Sequence, residues 1–182
     1  MFPRIAIVVA AVALVLPHAA AAQTAAERTP WEFRVSNGAL VPTGERRHEL
    51  VRGNFTAAQL SYEVSPRVVV VGTGGWGRTR GAGIGAPKLD VFTYDVGTEV
   101  GPARRTTAAP FSFRPFIAAG SGGRSHNYRG VPLDAVHNAT AYAGVGGEMG
   151  IRRVHLRLEA RDYVGASARS EVVFLVGARF GL

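Results

Sequence analysis

Apolar and polar positions alternate one by one through much of this chain. In Val154–Asp162 the apolar side chains occupy 154, 156, 158 and 160, with His155, Arg157, Glu159 and Arg161 between them. Successive side chains of a β-strand leave opposite faces, so a period of two predicts a strand with one apolar and one charged face. The same alternation sets Trp31, Phe33 and Val35 against Glu32, Arg34 and Ser36 in a strand running to Val41. It sets Ala58, Leu60, Tyr62 and Val64 against Gln59, Ser61 and Glu63. In Leu89–Val100 it opposes Phe92, Tyr94, Val96 and Val100 to Thr93, Asp95, Gly97 and Glu99. Phe111–Gly120 opposes Phe111, Phe113 and Ile117 to Ser112, Arg114 and Phe116. Pro115 within it lacks a donor for the ladder and predicts a bulge or strand edge. Ala139–Met149 alternates weakly, with Thr140, Tyr142 and Glu148 on one face. Glu171–Leu182 opposes Val172, Phe174, Val176 and Phe180 to Val173, Leu175 and Arg179. Val68–Arg78 is β-branched and then glycine-rich, a strand whose facing the pattern leaves open.

These segments predict eight strands of about ten residues and no helix, the length a tilted strand needs to cross a bilayer. The connections after the first, third and fifth strands (Pro42–Asn54, Thr79–Lys88 and Ser121–Asn138) are long, whereas those after the second and sixth are tight. An antiparallel meander with loops at one end and turns at the other has this alternation. Two architectures fit it. A soluble barrel of lipocalin type would bury the apolar face, and a transmembrane barrel would turn that face to lipid and enclose the charged one.

The N-terminus bears on the choice. Arg4 precedes the apolar run Ile5–Leu16, then Pro17 and the small residues Ala19–Ala22. That is the form of a secretory signal, so residues 1–22 are expected to be cleaved, residues 23–30 to be a short periplasmic tail, and residues 31–182 to be the barrel domain. No later stretch is apolar for long enough to cross a membrane as a helix. The chain has no cysteine, which excludes disulfide staples and lipid attachment at a cysteine.

Charge sharpens the picture. The formal net charge is +8, and loss of Arg4 with the signal leaves +7. The polar strand face nevertheless collects six acids (Glu32, Glu63, Asp95, Glu99, Glu148, Glu159) against five arginines (Arg34, Arg114, Arg157, Arg161, Arg179). Near-neutrality on one face of a strongly basic chain is what a sealed interior requires, because an unpaired charge removed from water costs several kcal/mol. Arginine suits that role, since its planar fork binds carboxylates bidentately. The apolar face carries its aromatics at strand ends (Trp31, Phe33, Tyr62, Tyr94, Phe111, Phe113, Phe180), as interfacial girdles would. The expected fold is all-β: an eight-stranded antiparallel up-and-down transmembrane β-barrel.

The strand Phe33–Val41 leading to Pro42, Thr43 and Gly44, the turn Ser65–Arg67, the strand Leu158–Tyr163 and the terminal strand Val176–Leu182 together resemble the small outer-membrane β-barrel proteins of diderm bacteria, of the OmpA transmembrane-domain and OmpX types. The resemblance implies both termini in the periplasm, location in the cell outer membrane, and assembly by the outer-membrane insertion machinery. Phe180 is followed by Gly181 and Leu182, a departure from the usual terminal phenylalanine.

An eight-stranded barrel is just wide enough for side chains to fill, so no solute channel is expected. Function then falls to the loops, whose basic residues Arg46, Arg47, Arg52, Arg80, Lys88, Arg124, Arg129 and Arg169 suggest a rim for outer-membrane lipids, lipopolysaccharide phosphates or an acidic partner. An exported chain is no candidate for nucleic acid. The enzymatic alternative is a lipid A-modifying barrel, with Ser125, His126 and Asp134 as the candidate group in one loop. No metal or other cofactor is expected: His48, His126, His137 and His155 lack ligand spacing, and no helix follows Gly81–Gly85 to cradle a phosphate.

Overall fold

The computed structural model describes residues 30–103, 111–151, 154–165 and 170–181. The segment expected to be a signal, Arg169, the side chain of Arg179 and the final residue lie outside what is described. The strands are β1 (Trp31–Pro42), β2 (Gly53–Ser65), β3 (Val68–Arg80), β4 (Lys88–Val100), β5 (Phe111–Arg129), β6 (Val136–Ile151), β7 (Val154–Gly165) and β8 (Ser170–Gly181). Each pairs antiparallel with the next, and β1 pairs with β8, which closes the sheet into a barrel. Closure leaves no strand edge unpaired, so the backbone needs no help from water.

The period of two decides the facing. Arg34, Gln59, Thr93, Asp95, Arg157, Glu159 and Arg161 are buried inside, while Phe33, Leu60, Phe92, Tyr94, Ile117, Val145 and Leu158 are exposed on the outer wall. β3, left open by its sequence, turns Val69, Val71, Thr73 and Thr79 inward and Trp76 outward.

Three expectations need correction. The first concerns β5, which does not end at Gly120. It runs 19 residues to Arg129. A Cβ on Gly122 would lie 2.1 Å from the Tyr94 carbonyl oxygen, and one on Gly123 would lie 2.5 Å from the Tyr94 ring. These glycines are sites of close approach inside a strand, not the start of a loop. The second concerns Pro115, which sits in unbroken register opposite Gly147. β4 has already ended opposite Ile117, and the Pro115 carbonyl points toward Gly101 beyond that end. The missing donor therefore falls where no ladder partner waits. The third concerns the polar loop after β1, which contains a single helical turn, α1 (Arg46–Glu49).

The interior is not polar throughout. Leu40, Phe55, Leu89, Val91, Val173 and Leu175 form a buried apolar cluster, joined by Leu50 from the segment just after α1. Aromatic rings lie over glycines of neighbouring strands. A Cβ on Gly97 would meet the Tyr142 hydroxyl oxygen at 2.1 Å, and one on Gly120 would meet the same ring at 2.5 Å.

Candidate functional site

Side chains from five strands converge in the half of the barrel near the termini. Arg34 on β1 places Nη1 3.0 Å from Glu99 Oε1 and Nη2 3.4 Å from Glu32 Oε2. Arg157 on β7 grips the same Glu99 with Nη2 at 2.6 Å and Nη1 at 3.1 Å, and reaches Glu148 at 3.0 Å and Glu159 at 3.0 Å. Its guanidinium also lies over the Phe116 ring, 3.9 Å from the centroid. Arg114 donates through Nε to the Pro102 carbonyl at 3.0 Å and approaches Glu148 at 3.8 Å. One turn of register higher, Arg161 joins Glu159 (2.7 Å) to Asp95 (3.2 Å), and Tyr163 donates its hydroxyl to Asp95 at 2.9 Å.

A separate group closes the loop end. Glu171 on β8 receives Arg124 Nη1 at 2.8 Å, with His126 Nε2 at 3.4 Å and Arg46 Nε at 3.5 Å. Arg124 also donates to the Thr93 hydroxyl at 3.1 Å and stacks on Tyr163. A cavity of about 20 Å³, room for one water molecule, lies among Arg46, Arg124, His126, Thr140, Tyr163 and Glu171. Among the described residues the enclosed ion pairs link six arginines to six carboxylates. Such pairing is what makes so many buried charges tolerable.

The sequence-predicted interior residues therefore fall as follows. Arg34, Asp95, Glu99, Arg114, Glu148, Arg157, Glu159 and Arg161 are buried together. Glu32 is nearly so, and Glu63 is half-buried at the turn end of β2. Arg179 stands opposite Arg34 in the β1–β8 register.

The rim divides. Arg124, expected on a loop, is inside the barrel because β5 continues through it, and Arg46 turns back over the mouth toward Glu171. Arg47, Arg52, Arg80 and Lys88 are exposed. Arg129 is exposed and pairs with Asp90 at 3.1 Å. The group Ser125, His126 and Asp134 is not brought together. Ser125 faces outward, its Oγ 2.6 Å from His137 Nδ1; His126 faces inward to Glu171; Asp134 is exposed in the loop after β5. Adjacent residues of one strand must point to opposite faces, so Ser125 and His126 cannot act on one substrate atom. Among the described residues no group of histidines and acids could hold a metal ion.

No protein-family model and no curated protein sequence matches the chain. Solved structures do match. Neisserial surface protein A superposes with a TM-score of 0.62 at 8% identity, covering 86% of this chain and 100% of that one. The N-terminal β-barrel domain of Pseudomonas aeruginosa OprF gives 0.50 at 11% identity, covering 85% of this chain and 100% of that domain. Yersinia pestis Ail, in complex with the heparin analogue sucrose octasulfate, gives 0.50 at 12% identity, covering 84% and 100%. This chain has the fold of the small eight-stranded outer-membrane β-barrels. In this barrel β5 runs on past Gly120, and residues that look like loop in the sequence complete the polar filling. Arg124 and Glu171 are such residues. Extending the alternation past Gly120 through positions 122, 124 and 126 would have found Arg124, and extending it from Val173 back to 171 would have found Glu171.

Proposed function

We propose that the chain is a non-enzymatic protein of the bacterial outer membrane, whose filled barrel is a closed anchor and whose loop-side rim engages anionic components of the envelope. One observation carries the membrane reading: the residues water should claim are inside and those it should reject are outside. Arg34, Arg157 and Arg161 are 1%, 3% and 0% exposed, while Ile117 and Val145 are 63% and 60% exposed. An apolar wall surrounding the molecule far exceeds the few hundred Å² that soluble proteins leave bare. On β4 the outward residues from Phe92 to Val100 are apolar or uncharged. They cover about 26 Å along the strand at ~3.3 Å per residue, or about 20 Å of bilayer at a ~40° tilt. A lipocalin-like carrier would need the opposite facing.

The ion-paired interior supports the absence of conduction, and the excess of exposed arginine and lysine at the loop end supports an anionic partner, lipopolysaccharide phosphates included. Ail, solved with a polysulfated sugar, is a precedent for a polyanion on this fold. The test is heat-modifiable gel mobility together with membrane fractionation. The expected result is a compact, detergent-requiring species that shifts only on boiling and an unchanged lipid A mass spectrum on expression. A chain that stays soluble without detergent, or lipid A altered by its expression, refutes the reading.

A further inference from the structure

On the outer wall at the loop end, three cations stand side by side on neighbouring strands. Arg80 on β3 is the register partner of Lys88 on β4, and Lys88 is the partner of Arg129 on β5. All three are exposed. Directly paired positions of an antiparallel sheet are about 5 Å apart, and like charges placed there repel. One step toward the membrane, Arg78 and Asp90 are paired in the same register. Asp90 is the local carboxylate, and it is already shared: Oδ2 lies 3.1 Å from Arg129 Nε and Oδ1 lies 3.7 Å from Arg78 Nε. Arg80 and Lys88 have no ion pair among the described residues. Immediately below, Trp76 and Phe92 are partners, with Tyr94 beyond them, all exposed, and Arg78 stacks on the Trp76 ring at 4.2 Å.

Four cations with one carboxylate between them, set on the top edge of an aromatic and aliphatic wall, form a surface whose charge is offset only in part by Asp90. We propose that the outer face of β3–β5 at Arg78, Arg80, Lys88 and Arg129 binds the phosphate groups of a phosphorylated membrane lipid, whose acyl chains run down past Trp76, Phe92 and Tyr94. A phosphate between Arg80 and Lys88 converts their repulsion into two charge-assisted contacts. The wall below selects an amphiphile over a free anion, because only a lipid satisfies both halves of the surface at once. The site rests on the membrane reading above and deepens it, moving the anion contact from the loop tips to the barrel wall.

The barrel, folded in zwitterionic micelles, is titrated with bis-phosphorylated lipid A, with the same lipid after phosphate removal, and with inorganic phosphate, and bound lipid is counted by native mass spectrometry. The phosphorylated lipid is expected to be retained at least tenfold better than the dephosphorylated one, and inorganic phosphate at the same concentration should not displace it. Arg80→Gln with Lys88→Gln should weaken retention roughly thirtyfold, the effect of two cations at a membrane surface. Arg67→Gln, an exposed arginine in the turn at the opposite end, should leave it unchanged. Both substituted residues are exposed, so heat-modifiable mobility should be preserved in the double variant; Lys88→Gln alone, with a smaller loss, covers the case in which it is not. Equal retention of the two lipids, an unaffected double variant, an equal loss in Arg67→Gln, or full displacement by inorganic phosphate each overturns the site while leaving the folded barrel intact. A chain that never acquires heat-modifiable mobility overturns the membrane reading and the site together.

Discussion

Glu99 offers the sharpest test of the sealed interior. It is 1% exposed and takes Arg34 at 3.0 Å and Arg157 at 2.6 and 3.1 Å, tying β1 and β7 together through β4. Breaking a buried pair from one side costs ~3–5 kcal/mol, because a charge is left without its partner in a place water reaches poorly. In Glu99→Ala neither arginine is wholly stranded: Arg34 keeps Glu32 at 3.4 Å and Glu148 at 3.7 Å, and Arg157 keeps Glu148 and Glu159, both at 3.0 Å. The loss should therefore lie near the lower figure, about 3 kcal/mol. Glu171→Ala is the contrast. Among the described residues it leaves Arg124, 2% exposed, with the Thr93 hydroxyl as its remaining hydrogen-bond partner, so its cost should approach about 5 kcal/mol. Urea unfolding from lipid vesicles measures both, followed by Trp31 and Trp76, which lie on the outer wall and report transfer out of lipid. A loss below about 1 kcal/mol for Glu99→Ala would mean that water screens the interior and that the pairing argument is wrong. A larger loss for Glu99→Ala than for Glu171→Ala would refute the redundancy drawn from the distances.

Leu158 faces outward in mid-strand on β7. Leu158→Arg should destabilise the membrane-inserted barrel by ~2–4 kcal/mol if the residue lies near the bilayer midplane, read by the same urea titration; free tolerance of the charge would contradict the lipid-facing wall. Gly97→Leu places a side chain where the Tyr142 hydroxyl and the Ala119 carbonyl oxygen lie 2.1 and 2.6 Å from the Cβ position. It should lower the boiling-shift temperature on gels, and unchanged mobility would show that Tyr142 swings aside freely. The purified barrel in planar bilayers should give no discrete conductance steps, and regular steps would refute the filled lumen.

The strands and their facing were legible because the barrel wall is one sheet thick, with protein on one side and a different environment on the other. Every strand residue therefore meets one of two surroundings, and alternation records which. Glu99 and Arg157 could be assigned to one face without any knowledge of what they touch. The pattern failed where an inward residue is not polar, or where a polar residue stands beyond a glycine. Val173 and Leu175 are as apolar as Phe174 and Val176, so the facing of β8 rested on Arg179, and the apolar cluster went unseen. β3 failed for the same reason, with Val68–Val71 apolar on both faces. Gly120, Gly122 and Gly123 look like a loop because glycine weakens strands, yet Gly120 and Gly122 lie against the backbone of β4, and Gly123 lies against the Tyr94 ring. α1 was illegible for a different cause. It is four residues long, too short for a helical period to register. Leu50 in the apolar cluster and Arg46 on Glu171 tie this segment to the barrel, contacts made with β-strands distant in the chain.

The division of the lumen bears on permeability more than its total charge does. An ion entering from the turn end would meet Arg34, Glu99, Arg157 and Glu148, whose charges are spent on one another at 2.6–3.7 Å. To move on it would have to break pairs that water does not replace. Above them, on one side, stands the cluster of Leu40, Phe55, Leu89, Val91, Val173 and Leu175, which offers no ligand at all. Beside it Arg161 binds Glu159 and Asp95 and lies over the Tyr142 ring, which belongs to the same buried cluster. The loop end is then closed by Arg124 and Arg46 on Glu171, with a cavity that fits one water. Paired charge thus lies at both ends of the lumen, with apolar packing and further ion pairs side by side between them. Removing one ion pair loosens one layer and leaves the others, so a substitution such as Glu99→Ala should weaken the fold long before it opens a path. The measurable signature is a destabilised barrel that still carries no current.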